Sequence, residues 1–119
     1  MTSIGFIGAG NMAEAIISGI LKNGVINADK IVAFDISKER KEYMREKYKI
    51  NFLDSEAEIL QDAEYTFIAV KPQVFPSLRE TGMGLNYQGT VISIMAGINF
   101  VLLKGAFPNA EKVRNMPNF

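Results

Sequence analysis

The feature that most constrains this chain is a cluster of small residues at positions 8–13, which reads Gly-Ala-Gly-Asn-Met-Ala. A short apolar run precedes the cluster, and an apolar stripe at helical spacing follows it. This is the G-x-G-x-x-G/A pattern of a dinucleotide-binding turn, in which glycine permits a tight turn and a close approach to a pyrophosphate. We predict such a site here rather than a strand-to-helix turn without a ligand. Its predicted residues are Ile7, Gly8, Ala9, Gly10, Asn11 and Met12.

Apolar, β-rich runs alternate with helical patterns along the whole sequence. Strands are predicted at residues 4–7, 31–34, 50–53, 65–70, 91–95 and 112–116. Helices are predicted between them, among others at residues 37–48, 74–81 and 100–107. Strict alternation of this kind favours a Rossmann-type, doubly wound α/β fold, with a mostly parallel sheet and helices on both faces. A length of 119 residues suits one domain, so residues 1–119 are expected to form a single dinucleotide-binding unit.

Charge and composition narrow the possible functions. Thirteen basic residues balance thirteen acidic ones, so no net field attracts nucleic acid. No apolar run approaches the roughly 18 residues that a membrane span needs, and we expect a cytoplasmic protein without membrane partners. The chain has no Cys and no His, which excludes thiolate chemistry and the commonest general acid–base and metal ligand. We therefore predict no metal site and assign no catalytic side chain, and we expect a bound cofactor to carry the chemistry.

The segment after the second predicted strand bears on which dinucleotide would bind. Asp35 lies 25 residues after Gly10, near the position where an acidic residue accepts from a ribose hydroxyl. A carboxylate there repels a 2′-phosphate and favours NAD. Ser37, Lys38 and Arg40 follow at once, and they could instead hold that phosphate, as NADP would require. The sequence leaves NAD and NADP open, and Asp35, Ser37 and Lys38 are predicted to contact the cofactor.

Two later strands end in small or proline-containing turns. Ala69, Val70, Lys71 and Pro72 close one strand, and Ala96 and Gly97 close the next. The carboxyl ends of parallel strands share one edge of a doubly wound sheet, where ligands bind. We therefore add these six residues to the predicted cofactor site, although each turn taken alone is more typical of a plain turn, and Lys71 alone is as typical of a surface lysine.

Four segments together resemble the pyrroline-5-carboxylate reductase family. They are residues 4–19 with the glycine cluster, Ala-Val-Lys-Pro-Gln at 69–73, Ile-Ser-Ile-Met-Ala-Gly-Ile at 92–98, and Val-Arg-Asn-Met-Pro-Asn at 113–118. The glycine cluster is shared with many dehydrogenases, whereas the second and fourth segments are more specific. The resemblance implies reduction of 1-pyrroline-5-carboxylate to L-proline with NADPH or NADH. It also places the turns at 69–72 and 96–97 beside the nicotinamide.

The resemblance also implies a larger protein. Members of the family carry a C-terminal helical domain that supplies dimer contacts and most substrate-binding groups, so we expect this chain to be the cofactor-binding part of a homo-oligomer. Asp35 stands where many members have a small polar residue, which leaves their usual NADPH preference open here. The alternatives are a non-catalytic dinucleotide-binding regulatory module and a relative of the 3-hydroxyacid or 6-phosphogluconate dehydrogenases.

Overall fold

The computed structural model describes residues 3–95 and 100–115, apart from the side chains at 72 and 115. Six strands alternate with five α-helices in this part of the chain. The strands are β1 (Ile4–Ile7), β2 (Ile31–Phe34), β3 (Asn51–Phe52), β4 (Tyr65–Ile68), β5 (Thr90–Ser93) and β6 (Lys112–Asn115). The helices are α1 (Asn11–Lys22), α2 (Lys38–Tyr48), α3 (Glu56–Asp62), α4 (Phe75–Glu80) and α5 (Phe100–Ala106). Short 3₁₀ turns precede β2 and α4, at Ala28–Lys30 and Pro72–Val74.

The strands form one parallel sheet in the order β3-β2-β1-β4-β5-β6. The chain first winds outward from β1 to β3, then crosses back and winds in the other direction from β4. The strand order therefore reverses between β1 and β4, which is the point where doubly wound sheets form their ligand crevice. The predicted fold class is confirmed.

Two apolar layers cover the two faces of the sheet. On one face, Phe6 of β1 lies in a cluster with Ile17 of α1 and Met44 of α2, and all three side chains are fully buried. The other face carries a cluster formed with α3, α4 and α5, in which Ile59 and Leu103 are fully buried. Alternate residues of β1 serve the two layers, as the period of two in a strand requires.

The end of β4 differs from its prediction. The strand stops at Ile68 rather than at residue 70, because its partner β1 ends at Ile7 in the same register. One further hydrogen bond, from the Ala69 N–H to the Ile7 carbonyl oxygen at 2.8 Å, closes the ladder. Beyond it, β1 has already turned away at the glycine cluster and offers no further acceptor. The ends of β1 and β4 therefore open together into a shared crevice.

Within the residues that the structure describes, no helix is long and apolar enough to cross a bilayer.

Candidate functional site

Gly8 makes the turn out of β1 and can only be glycine. Its φ is +103°, a backbone conformation that other residues rarely adopt. A Cβ built on Gly8 would lie 2.5 Å from the carbonyl oxygen of Ala69. The Gly8 N–H donates to the Phe34 carbonyl oxygen at 2.8 Å, which fixes the turn to the end of β2. The first glycine of the motif is thus explained by the fold itself.

Gly10 is different, because neither the backbone nor the packing requires glycine there. Its φ of −79° and ψ of −165° are extended values that any residue adopts. A Cβ built on Gly10 would meet no atom within 4 Å. Gly10 is also the N-cap of α1 and makes no side-chain cap, so the first N–H groups of that helix face the same open space. The missing side chain leaves room for something other than protein.

Asp35 ties the glycine turn to the start of α2. One of its carboxylate oxygens accepts from the Ala9 N–H at 2.8 Å, and the other accepts from the Ser37 N–H at 2.8 Å. Ser37 caps α2, since its hydroxyl accepts from the Arg40 N–H at 3.2 Å. The carboxylate therefore holds two main-chain N–H groups at the mouth of the turn.

Arg40 reaches back from α2 to the other side of the same turn. Its Nε donates to the Ala9 carbonyl oxygen at 2.7 Å, and its Nη2 donates to Glu14 Oε1 at 3.0 Å. The peptide groups on both sides of Ala9 are thus bonded to side chains from the second strand and helix. Ala9 itself is fully buried. This arrangement fixes the turn before any ligand arrives, which lowers the conformational cost of binding.

Glu14 joins α1 to α2 through several donors on one carboxylate. The hydroxyls of Tyr43 and Tyr48 both donate to its Oε2 at 2.7 Å, and Lys47 Nζ lies 3.4 Å from the same oxygen. These tyrosine hydrogen bonds, with those from Arg40 and Lys47, outweigh the effect of burial and lower the pKa of Glu14 to about 2. The sequence analysis did not find this cluster. Its only signal was the spacing of Arg40, Tyr43 and Lys47, which places them on one face of α2.

A cleft of about 380 Å³ opens where the ends of β1, β2 and β4 meet. Its lining includes seven of the predicted site residues, namely Gly8, Gly10, Asp35, Ser37, Ala69, Val70 and Lys71. It also includes five residues outside that predicted set, namely Phe34, Ile36, Arg40, Glu56 and Val74. Ile36 is an apolar side chain that is 84% exposed, and no sequence signal marked it as a site residue. The cleft combines apolar walls with a few polar groups, as small-molecule sites do.

The remaining predicted site residues lie around this cleft or outside the described part. Ile7 and Ala9 are fully buried beneath the turn, and Ala9 contributes its N–H to Asp35. Asn11 and Met12 are exposed at the start of α1, and Lys38 is exposed at the start of α2. Pro72 begins the 3₁₀ turn after β4. Ala96 and Gly97 lie outside the residues that the structure describes.

A second depression, of about 390 Å³, lies at the opposite edge of the sheet. Glu64, Tyr65, Thr90 and Lys112 line it at the amino ends of β4, β5 and β6. Ligands of doubly wound sheets bind at the carboxyl edge instead. The cleft at the glycine turn is therefore the candidate site.

Comparison with known proteins agrees with this geometry. The family model described as "NADP oxidoreductase coenzyme F420-dependent" matches residues 3–97. Pyrroline-5-carboxylate reductase of Escherichia coli is 35% identical over 117 residues, covering 97% of this chain and 44% of the relative. The Pasteurella multocida enzyme of the same name is 38% identical over 122 residues, covering 98% of this chain and 44% of its own length.

A solved structure shows the same likeness. The pyrroline-5-carboxylate reductase of Coxiella burnetii superposes with a TM-score of 0.86 at 27% identity, covering 99% of this chain and 44% of that structure. The resemblance expected from the four sequence segments is confirmed. The chain spans less than half the length of these relatives.

Proposed function

The chain belongs to the family of NADP oxidoreductases described as coenzyme F420-dependent, and from this premise we propose that its cleft binds a nicotinamide dinucleotide, NADP or NAD. The observation that carries the proposal is Gly10. It is a glycine that the protein itself does not need, it faces open space, and it lines the cleft. A pyrophosphate that approaches the main chain accounts for it, because only glycine lets the backbone come that close.

In this proposal, different residues around the cleft bind different parts of the cofactor. Gly8, Gly10 and the first N–H groups of α1 serve the pyrophosphate, which the positive end of the helix dipole stabilises. Asp35, Ser37 and Lys38 lie on the adenosine side, at the end of β2. The turn of residues 69–72, with Ala96 and Gly97, serves the nicotinamide side. Ile7, Ala9, Asn11 and Met12 support the glycine turn.

The reaction proposed for the whole protein is reduction of 1-pyrroline-5-carboxylate to L-proline. When bound, the reduced nicotinamide would supply a hydride to the ring imine carbon, and the imine nitrogen would take a proton from the solvent. The described residues of the cleft bind and orient rather than react. Hydrogen bonds of the main chain with Asp35 and Arg40 keep the turn fixed, so the turn would hold a bound cofactor in one position.

Groups outside these 119 residues complete the substrate site in this proposal. Among the described residues of the cleft, the cations are Arg40 and Lys71, and Arg40 is paired with Glu14. A single lysine offers few donors for a substrate carboxylate. It also cannot form a wall that excludes water from the reacting atoms. The relatives that this chain matches are more than twice as long, which leaves room for a substrate-binding and dimer-forming part. We place the enzyme in the cytoplasm as a homo-oligomer, without nucleic-acid or membrane partners.

The test is a turnover assay with reduced dinucleotide and 1-pyrroline-5-carboxylate, followed by the loss of nicotinamide absorbance. The full-length protein is expected to oxidise the cofactor and release proline, and the 119-residue chain alone is expected to bind cofactor without turnover. Activity of the full-length protein on a 3-hydroxyacid or 6-phosphogluconate, but not on the imine, would assign it to the other dehydrogenase class. Cofactor binding without turnover of any of these substrates would indicate a regulatory module.

A further inference from the structure

In the proposed function the adenosine ribose lies at the end of β2, where Asp35 lines the cleft. Two main-chain N–H groups at this place, those of Ala9 and Ser37, already donate to Asp35 at 2.8 Å. A phosphate on the ribose would need donors of this kind at the start of α2. Here the protein satisfies those donors with its own anion.

Arg40 and Lys71, the two cations that line the cleft among its described residues, do not offset this charge, and Lys38 at the start of α2 is exposed and does not line the cleft. Arg40 is held by the Ala9 carbonyl oxygen, by Glu14 and by Met44 Sδ at 3.5 Å, so its guanidinium serves the link between α1 and α2. Lys71 follows β4, on the other side of β1 from Asp35, roughly 10 Å away at two strand spacings.

Glu56 makes the cleft still less favourable for a 2′-phosphate. It lines the same cleft at the start of α3 and adds another carboxylate to the wall. A doubly charged phosphate placed here would meet two carboxylates and no uncommitted arginine among the described cleft residues. The proposed pyrophosphate site differs from this place, because it uses Gly10 and the first N–H groups of α1, whereas Asp35 is bonded to the N–H of Ala9.

The ribose of a cofactor without that phosphate fits Asp35 well. Each carboxylate oxygen of Asp35 can accept two hydrogen bonds. Each oxygen accepts one of these bonds from a main-chain N–H. The second position of each oxygen is left for a hydroxyl donor. Because the carboxylate is already fixed at both oxygens, it is oriented before the cofactor arrives.

We propose that this chain selects NADH over NADPH, with Asp35 as the specificity-determining residue; this rests on the proposed function of the cleft. The selectivity follows from repulsion of the 2′-phosphate and from acceptance of the ribose hydroxyls, both by one carboxylate. The proposal departs from the NADP named in the family description.

The experiment is calorimetric titration of the 119-residue chain with NADH and with NADPH. Wild type is expected to bind NADH at least tenfold more tightly. Asp35→Asn removes the charge and keeps one acceptor oxygen, and it should strengthen NADPH relative to NADH at least tenfold. Asp29→Asn is the matched control, since Asp29 is exposed in the turn before β2 at the amino edge of the sheet, and it should keep the wild-type ratio.

The outcomes separate this proposal from the one on which it rests. Equal or tighter binding of NADPH by wild type would overturn the selectivity and leave the cofactor site standing. An unchanged ratio in folded Asp35→Asn would remove Asp35 from the selection. Binding of neither dinucleotide would contradict the cofactor site itself. A second pair of probes, 5′-AMP and adenosine 2′,5′-bisphosphate, isolates the 2′-phosphate in wild type; tighter binding of the bisphosphate would also overturn the proposal.

Discussion

The two halves of the sheet are held together by different kinds of contact. In the half with β1, β2 and β3, side-chain hydrogen bonds join the elements, with Asp35 and Arg40 on the glycine turn and Glu14 between α1 and α2. In the half with β4, β5 and β6, close apolar contact dominates. There the ring of Tyr87 meets that of Phe107 edge-on at 6.3 Å, and both side chains are buried.

Two glycines, one in each half, illustrate a related contrast. Gly84, in the second half, is glycine because a Cβ would lie 2.5 Å from the Phe107 ring and 2.6 Å from the Ala106 carbonyl oxygen. Gly10, in the first half, has no such neighbour. Packing therefore requires glycine at position 84, whereas the space beside Gly10 is one that the protein's own packing does not use. Substitution of Gly84 should therefore lower the stability of the fold, whereas substitution of Gly10 should weaken ligand binding.

The largest expected effect on stability comes from Gly84→Ala. The new methyl group collides with a fully buried ring and a main-chain oxygen, so we expect a loss of about 3 kcal/mol, at the upper end for overpacking. Gly10→Ala should change stability by less than about 0.5 kcal/mol. Urea unfolding of both variants measures the difference. Equal losses in the two variants would abolish the contrast between the halves.

An intermediate effect is expected from Tyr87→Phe. The Tyr87 hydroxyl donates to the Ala63 carbonyl oxygen at 2.8 Å and accepts from the buried Thr66 hydroxyl at 2.9 Å. Its removal leaves Thr66 without this partner, and we expect a loss of about 1.5 kcal/mol. Burial raises the pKa of Tyr87, so the group stays neutral and the loss should be the same from pH 3 to pH 7. A loss that changes across this range would mean that charge contributes here.

The smallest of these effects, and the one that depends on pH, is expected from Glu14→Gln. At pH 7 the variant should lose about 1 kcal/mol, as for a partly exposed ion pair with hydrogen bonds. The pKa of Glu14 falls from 4.5 to about 2 on folding, so its contribution is complete above pH 4.5 and is lost as the pH falls toward 2. Unfolding of wild type and variant at several pH values should converge in that window. A constant difference would show that the carboxylate charge is not what joins the helices.

Local patterns were sufficient to predict most of the fold. The glycine cluster, the apolar strands and the helical stripes are each contained within a few residues, and together they predicted the six strands and their parallel arrangement. The ends of elements depend on partners, and β4 is shorter than predicted because β1 ends at Ile7 in the shared register.

The site was predicted less completely, because its organising contacts join distant residues. The bond of Asp35 to the Ala9 N–H spans 26 positions, and that of Tyr48 to Glu14 spans 34. No local spacing encodes such pairs. The role of Gly84 was equally hidden, because the ring that it accommodates belongs to Phe107. Residues 69–71 were predicted through the rule that parallel strands end at one edge, which needs only the fold class.

The most direct measurement is calorimetric titration of NADH against wild type, Gly10→Val and Gly19→Ala. Valine fits the extended backbone of Gly10 and meets no protein atom near its Cβ, so that variant should fold as wild type does. Gly19 also has open space around its Cβ but lies in the middle of α1, which makes Gly19→Ala the control. The account predicts that Gly10→Val binds at least about thirtyfold more weakly, or ~2 kcal/mol, while Gly19→Ala binds as wild type does. Equal affinities for wild type and a folded Gly10→Val would contradict the assignment of the cleft as a dinucleotide site.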